Sequence, residues 1–157
     1  MPMISRALLI TVTTLWGWGA IASTPAPAQV ADPRPMPPFY VGVGVRGGFN
    51  DSVDAMIDSK IRVAPLGSST LSIRPTILIG NDFGLRLPVT VDVPWYEGVY
   101  PYAGAGLSYD ETDSVGAMVT AGLDVALTQK LYLDTSLGVV FDQDVKAEVA
   151  FSLNYAF

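Results

Sequence analysis

From Phe39 to the C-terminus, apolar residues alternate along the chain with polar or small ones. The clearest stretch is Val145 to Phe157, in which the odd positions are apolar and the even positions are polar or small. A period of two is the period of a β-strand, whose successive side chains point to opposite faces of the sheet. The pattern therefore predicts an all-β fold whose strands each have one apolar face.

The alternation predicts eight strands joined by short turns. Their expected ranges are Phe39 to Phe49, Ile57 to Pro65, Leu71 to Ile79, Phe83 to Val93, Val99 to Tyr109, Val115 to Leu127, Leu131 to Phe141 and Val145 to Phe157. Pro75 and Pro88 lie within the third and fourth strands, nearly opposite each other. Because proline cannot donate to a strand ladder, we expect a bulge or break that both strands share.

Three architectures fit eight hairpin-linked strands: a soluble sandwich, a barrel with an apolar interior, and a membrane barrel with an apolar exterior. The even face decides among them, because it holds many glycines and nearly equal numbers of bases and acids. The interior of an eight-stranded barrel is just wide enough for side chains to fill, so that its residues must be small or paired. Glycine on a solvated face would weaken a strand without gain. The pattern favours the membrane barrel.

Aromatic residues of the apolar face fall at the strand ends. One group would lie at one end of the barrel and a second group at the other. The first is Phe49, Phe83, Tyr109 and Phe141, and the second is Phe39, Trp95, Tyr96, Tyr155 and Phe157. Membrane barrels carry such girdles at both lipid–water interfaces.

The N-terminus has the features of a secretory signal peptide. Arg6 precedes an apolar run from Ala7 to Ile21, and small residues follow up to Ala28, where cleavage is expected. The run is shorter than the roughly 20 residues that a transmembrane helix needs. Residues 29–38 contain four prolines and are expected to form an extended periplasmic leader before a barrel at 39–157.

Together these features resemble the small outer-membrane β-barrels of the OmpA and OmpX type. The signal peptide, the strands over Phe39 to Phe157, and the last strand with Tyr155 and Phe157 carry the resemblance. It implies a closed up-and-down antiparallel transmembrane β-barrel of eight strands, surrounded by lipid in the bacterial outer membrane. It also implies that Tyr155 and Phe157 belong to the signal read by the barrel-assembly machinery. The long extracellular loops of that family are missing here, which argues against adhesion and receptor roles.

Charged residues at even positions are expected to form a network in the lumen. Counting across the turns places Arg46 near Lys60 and makes a basic wall of the first four strands, whereas Asp124 and Asp134 lie opposite each other beside Tyr100. The network comprises Arg46, Lys60, Arg62, Arg74, Arg86, Asp92, Asp124, Asp134, Lys146 and Glu148. The basic wall would neutralise the acidic one across the barrel. Two interpretations stay open: a plugged interior, or a narrow water path lined by segregated charge.

With both termini in the periplasm, the odd-numbered turns face outside and contain acids but no Lys or Arg. This acidic rim consists of Asp51, Asp54, Asp82, Asp110, Glu111, Asp113, Asp142 and Asp144. Such residues suit short turns for conformational reasons alone. Clustered carboxylates would also concentrate cations and bind divalent ions, although no EF-hand spacing is present.

Composition excludes most enzyme chemistry and nucleic-acid binding. The chain has no Cys and no His, so that a thiolate nucleophile and the commonest general base are absent, and its net charge of -6 repels phosphate. A carboxylate dyad of Asp124 and Asp134 would lack an accompanying His, Ser or Cys constellation, and the missing His also argues against a lipid-modifying or proteolytic barrel. We expect no cofactor. The sequence predicts a structural barrel or a narrow, cation-leaning passive channel; the alternative is a soluble periplasmic lipocalin-like carrier of an apolar ligand.

Overall fold

The computed structural model describes residues 36–48, 53–111 and 114–157. The predicted signal peptide and most of the predicted leader lie outside these ranges, as do Phe49, Asp51 and Asp113. Among the residues that the structure describes, none forms a helix with the length and hydrophobicity that a membrane span requires.

The described residues form nine strands of one antiparallel sheet. They are β1 (Phe39–Gly48), β2 (Val53–Leu66), β3 (Ser69–Ile73), β4 (Thr76–Ile79), β5 (Phe83–Asp92), β6 (Val99–Asp110), β7 (Ser114–Ala126), β8 (Leu131–Phe141) and β9 (Val145–Ala156). The sheet closes because β1 pairs with both β2 and β9. Both β3 and β4 pair with β2 and β5, so that they are two halves of one barrel strand. The predicted closed eight-stranded antiparallel barrel is confirmed.

The barrel has two distinct ends. At the end that we call the terminal end, β1 begins and β9 finishes, and the N–H of Phe157 donates to the carbonyl of Phe39 at 3.4 Å. The hairpins β2–β3, β5–β6 and β7–β8 turn at this end. The strand pairs β1–β2, β4–β5, β6–β7 and β8–β9 are connected at the opposite end, which we call the far end.

The register of β1 against β2 differs from the sequence prediction. β2 begins at Val53, four residues before the expected start, and Asp54 lies opposite Arg46 while Lys60 lies opposite Tyr40. The prediction that Arg46 lies near Lys60 is therefore wrong. The cause is local: Asp and Ser around position 53 suggest a turn, although the alternation already runs from Val53 onward.

Proline breaks the third barrel strand alone. β3 ends at Ile73 and β4 begins at Thr76, and the carbonyl of Pro75 accepts from the N–H of Ser59 at 3.1 Å. β5 continues through Pro88 without interruption. The prediction of a break shared by both strands is therefore wrong for β5. A second irregularity lies instead in β2, where the register shifts between Arg62 and Ala64.

Burial in this barrel is the reverse of that in a soluble protein. Outward-facing Val43 and Phe151 are more than half exposed, whereas inward-facing Lys60 and Asp92 are fully enclosed. A contiguous apolar exterior of this kind needs an apolar environment around it. The lipocalin-like alternative required the apolar face to point inward, and the structure places that face outside.

Candidate functional site

Arg74 lies at the centre of the lumen, at the proline break between β3 and β4. Its side chain is almost completely buried, and its guanidinium contacts three carboxylates from three strands. Nη2 lies 2.6 Å from Oδ1 of Asp92 and 2.8 Å from Oδ2 of Asp124, and Nη1 lies 2.9 Å from Oδ2 of Asp134. A planar guanidinium with five fixed donors suits such a convergent arrangement.

Lys60 is the second cation at this site. Its Nζ lies 3.2 Å from Oδ2 of Asp124 and 3.4 Å from Oδ2 of Asp92, and no part of its side chain reaches the surface. Two cations therefore share three carboxylates in an environment without bulk solvent, where each ion pair is stronger than it would be in water.

Hydroxyl groups donate further hydrogen bonds to these carboxylates. Tyr40 donates to Oδ1 of Asp124 at 2.9 Å, Tyr102 donates to Oδ1 of Asp134 at 2.8 Å, and Ser72 donates to Asp92. The guanidinium of Arg74 also lies over the ring of Tyr102, 3.5 Å from its centroid, in a cation–π contact. We call this group the Arg74 cluster; it consists of Tyr40, Lys60, Ser72, Arg74, Asp92, Tyr102, Asp124 and Asp134.

Gly122 makes room for this arrangement. It faces the lumen on β7 beside Tyr102, and a β-carbon placed there would overlap both the tip of the Tyr102 ring and the carbonyl of Thr135. The ring can lie across the lumen only because position 122 carries no side chain.

A second ionic group lies toward the far end. Arg46 contacts Asp54 at 2.9 Å and Glu148 at 2.6 Å. Arg86 contacts Asp110 at 2.9 Å and the same Glu148 oxygen at 3.3 Å. We call these five residues the Glu148 cluster, because that carboxylate joins the two guanidinium groups.

Between the two clusters lies a cavity of about 50 Å³. Asp58 lines it and is buried, accepting hydrogen bonds from Thr76 at 3.1 Å and from Ser152 at 3.0 Å. Met56 and Met118 line it as well. A water molecule needs about 10 to 15 Å³ of such space, so that the cavity can hold a few waters.

The structure places the predicted lumen residues unequally. Lys60, Arg74, Asp92, Asp124 and Asp134 come together in the Arg74 cluster, and Arg46, Arg86 and Glu148 in the Glu148 cluster. Asp124 and Asp134 lie directly opposite each other, and Tyr100 lies opposite Asp124, as predicted.

Two other predicted lumen residues behave differently. Lys146 faces the lumen near the far end but is only half-buried. Arg62 is exposed and lies opposite Ser72 near the terminal end, just before the register shift in β2, outside both buried clusters. Its assignment to the lumen network is wrong.

The acidic rim is smaller than predicted. Asp54 and Asp110 are strand residues that pair with arginines of the Glu148 cluster, so that assigning them to a free rim is wrong. Asp82, Glu111 and Asp144 are exposed, and Asp142 is half-buried; Asp51 and Asp113 lie outside the described residues. Within the described ranges, no group of three or more acidic side chains could hold a metal ion.

Sequence reasoning missed several members of the site. The sequence pattern predicts Asp54 and Asp110 in turns and assigns no role in the network to Asp58, Tyr40 or Tyr102. All five occupy even positions, and the even positions of these strands face the lumen. The alternation alone therefore indicates that these side chains point inward.

The aromatic girdles lie where the sequence predicts them. Phe83, Tyr109 and Phe141 are exposed at the far end, and Trp95 and Tyr96 at the terminal end. Tyr155 and Phe157 also point outward at the terminal end, where the ring of Phe157 lies 5.5 Å from that of Phe39.

No protein-family model matches the chain, and no curated protein matches it by sequence. Its fold is similar to solved structures, among them a de novo designed transmembrane β-barrel, with 19% identity, TM-score 0.63, and coverage of 79% of this chain and 99% of that chain. The N-terminal β-barrel domain of Pseudomonas aeruginosa OprF matches with 15% identity and TM-score 0.54, covering 76% of this chain and 96% of the domain. The Yersinia pestis outer membrane protein Ail matches with 13% identity and TM-score 0.55, covering 78% of this chain and all of Ail. At these identities the similarity shows the fold, which is that of a small transmembrane β-barrel.

Proposed function

We propose that this protein is a non-enzymatic β-barrel of the bacterial outer membrane whose lumen is closed by its own side chains and whose role is structural. The observation that carries the proposal is the Arg74 cluster, because its members come from seven of the eight barrel strands and meet across the lumen. A lumen crossed by buried ion pairs has no continuous path for an organic solute.

The exterior supports the membrane location. Its apolar wall is bounded at both ends by exposed aromatic residues, which is the arrangement that positions a barrel between two lipid–water interfaces. The predicted signal peptide would direct the chain out of the cytoplasm, and the fold similarity to OprF and Ail agrees with the same membrane. Outward-facing Tyr155 and Phe157 are suitably exposed for recognition by the barrel-assembly machinery.

The interior supports a role without catalysis. Asp92, Asp124 and Asp134 are each occupied by a cation and a hydroxyl group, so that none of them is poised to act on a substrate. The cavity beside Asp58, at about 50 Å³, is far smaller than the roughly 300 to 1,000 Å³ of ligand pockets.

A narrow cation-leaning channel is the second candidate, favoured by the charge of the lumen. The ion pairs of the two clusters join four cations to six carboxylates, and Asp58 adds a further buried acid. Inward-facing Lys146 offsets this excess only in part. A negative lumen would favour cations over anions if water crosses it. The exposed rim acids Asp82, Glu111 and Asp144 would then concentrate cations, divalent ions included, at the far end.

Planar-bilayer recording of the purified protein separates the two candidates. The folded barrel should first migrate differently on a gel before and after boiling, and the boiled sample serves as the control in the bilayer. We expect folded protein to insert without steady conductance. Steady cation-selective openings would favour the channel instead, and a protein that stays soluble without detergent would contradict both candidates.

A further inference from the structure

Met36 lies in the mouth of the lumen at the terminal end, just before β1. Only 8% of its surface is exposed, and it packs with Tyr40, Tyr100, Tyr132 and Ala156. The rings of Tyr40 and Tyr132 lie 6.3 Å apart and those of Tyr100 and Tyr132 lie 6.4 Å apart, so that three tyrosines surround the opening. A residue that precedes the first strand is therefore part of the buried interior.

The path of the chain explains how Met36 reaches this position. The carbonyl of Pro38 accepts from the N–H of Arg62 at 2.8 Å, which extends the β1–β2 ladder beyond Phe39. Pro37 is buried and turns the chain inward from there. Two consecutive prolines have fixed φ angles, so that this turn is stiff and holds Met36 over the opening.

The chemistry of the mouth suits a thioether. Sδ of Met36 lies 3.1 Å from Oγ1 of Thr70, and the same hydroxyl lies 3.2 Å from Oδ2 of Asp92 in the Arg74 cluster. An unbranched, polarisable side chain fills irregular space between aromatic rings well. Met36 thus lies between the solution at the terminal end and the buried ion pairs.

We propose that Met36, held by Pro37, is a built-in stopper that closes the terminal mouth and keeps water away from the Arg74 cluster. The end of the proline-rich segment is then a structural part of the barrel and not a free leader. This inference rests on the proposed closed lumen and deepens it by naming the segment that seals one end. Labelling of a thiol at this mouth reports on the mouth alone, so that its outcome does not depend on whether the rest of the lumen conducts.

Cysteine labelling tests the stopper, because the chain contains no cysteine of its own. Thr70→Cys places one thiol directly beneath Met36 in the full-length protein, purified in detergent micelles. The probe is 2-aminoethyl methanethiosulfonate, and the labelling rate is followed by mass spectrometry. We expect slow labelling with Met36 present and acceleration of about tenfold or more in Met36→Ala, because access otherwise requires local opening.

Matched variants separate the stopper from a general loosening of the barrel. Met118→Ala removes a similar side chain from the deeper cavity and should leave the labelling rate unchanged, and Met36→Leu should keep it slow. Ser68→Cys, on the exposed β2–β3 turn, should label fast in every background. Equal labelling rates with and without the Met36→Ala substitution, or fast labelling with Met36 present, would overturn the proposal.

A measurement without substitutions covers the case in which a variant does not fold. The oxidation of Met36 by hydrogen peroxide can be followed by peptide mass spectrometry in the folded and in the boiled protein. If Met36 fills the mouth, its oxidation should be about tenfold or more slower in the folded barrel, because the sulfur must first leave the mouth. Equal rates in the two samples would overturn the proposal.

Discussion

The two ionic clusters of the lumen are built from similar residues but join different parts of the wall. In the Arg74 cluster, one guanidinium reaches carboxylates on β5, β7 and β8, and its contacts with Asp124 and Asp134 cross the lumen. In the Glu148 cluster, Arg46 pairs with residues of the strands on either side of it, and only the contact between Arg86 and Glu148 crosses the lumen. The first cluster therefore connects opposite walls, whereas the second mainly reinforces neighbouring strands.

The two clusters also differ in solvent exposure, and the Arg74 cluster is the more deeply buried. The carboxylates of the Arg74 cluster have side-chain exposures of 0% for Asp92, 1% for Asp124 and 6% for Asp134, compared with 12% for Asp54 and 20% for Asp110 in the Glu148 cluster. Water near an ion pair weakens the attraction between the two charges, and it also solvates the charge that remains when one partner is removed. Removing a partner should therefore lower the stability most where the pair is most deeply buried. Stability should therefore be more sensitive to Arg74 than to Arg86.

The largest effect is expected for Arg74→Met. The substitution leaves three buried carboxylates with Lys60 as their remaining cation, and breaking a buried pair from one side typically costs about 3 to 5 kcal/mol. Urea unfolding in detergent micelles, followed by tryptophan fluorescence, measures the loss. Exposed Arg62→Met is the control and should change stability by less than about 0.5 kcal/mol. A loss no larger than that of Arg86→Met would remove the distinction between the clusters.

The sequence predicts one of these clusters much better than the other. Asp124 and Asp134 can be placed opposite each other because the β7–β8 turn is short, with the hydroxyl oxygen of Thr128 accepting from the N–H groups of Lys130 and Leu131. Between β1 and β2 the turn-forming residues overlap the start of the strand. Counting from this turn predicts Lys60 as the neighbour of Arg46, whereas the neighbour is Asp54.

Contacts across the lumen are harder to predict than contacts between neighbouring strands. Which residue faces Arg74 from the opposite wall depends on the tilt and stagger of the whole barrel, and hairpin counting does not supply these. The register shift that follows Arg62 in β2 is likewise not supplied by hairpin counting. Met36 carried no periodic signal at all, because it precedes the first strand in a segment dominated by proline. The alternation thus predicts the strands of the barrel and which of their side chains face the lumen. The contacts made across the lumen depend on how the barrel closes.

The second largest effect is expected for Asp124→Asn combined with Asp134→Asn. The two amides keep the shape of the carboxylates but remove the charges that face Arg74 and Lys60, and a hydrogen bond to a charged group contributes about 1.5 to 3 kcal/mol. A lower urea midpoint than the parent barrel is the expected result. Unchanged stability would show that the two walls do not hold each other by charge.

A smaller loss is expected for Arg86→Met, since Arg46 remains beside Glu148 and Asp110 is partly hydrated. Loss of charged hydrogen bonds at a site with partial solvent access should cost about 1 to 2 kcal/mol in the same assay. The double variant with Arg74→Met tests independence. Because the two arginines contact different carboxylates, their losses should add within about 0.5 kcal/mol. Strong coupling would show that the clusters form one network through the cavity.

The smallest effect is expected for Asp110→Asn, at the half-buried edge of the Glu148 cluster. A pair that water partly screens contributes about 0 to 1 kcal/mol, and added salt should reduce its contribution further. Comparing Asp110→Asn with its parent at low salt and near 1 M salt should therefore show a difference that disappears, whereas the loss from Arg74→Met should persist in both. The salt response distinguishes the clusters more directly than the size of either loss. If the loss from Arg74→Met also disappeared at high salt, ions would reach the middle of the lumen, and the interior would be an open water path instead of a plug.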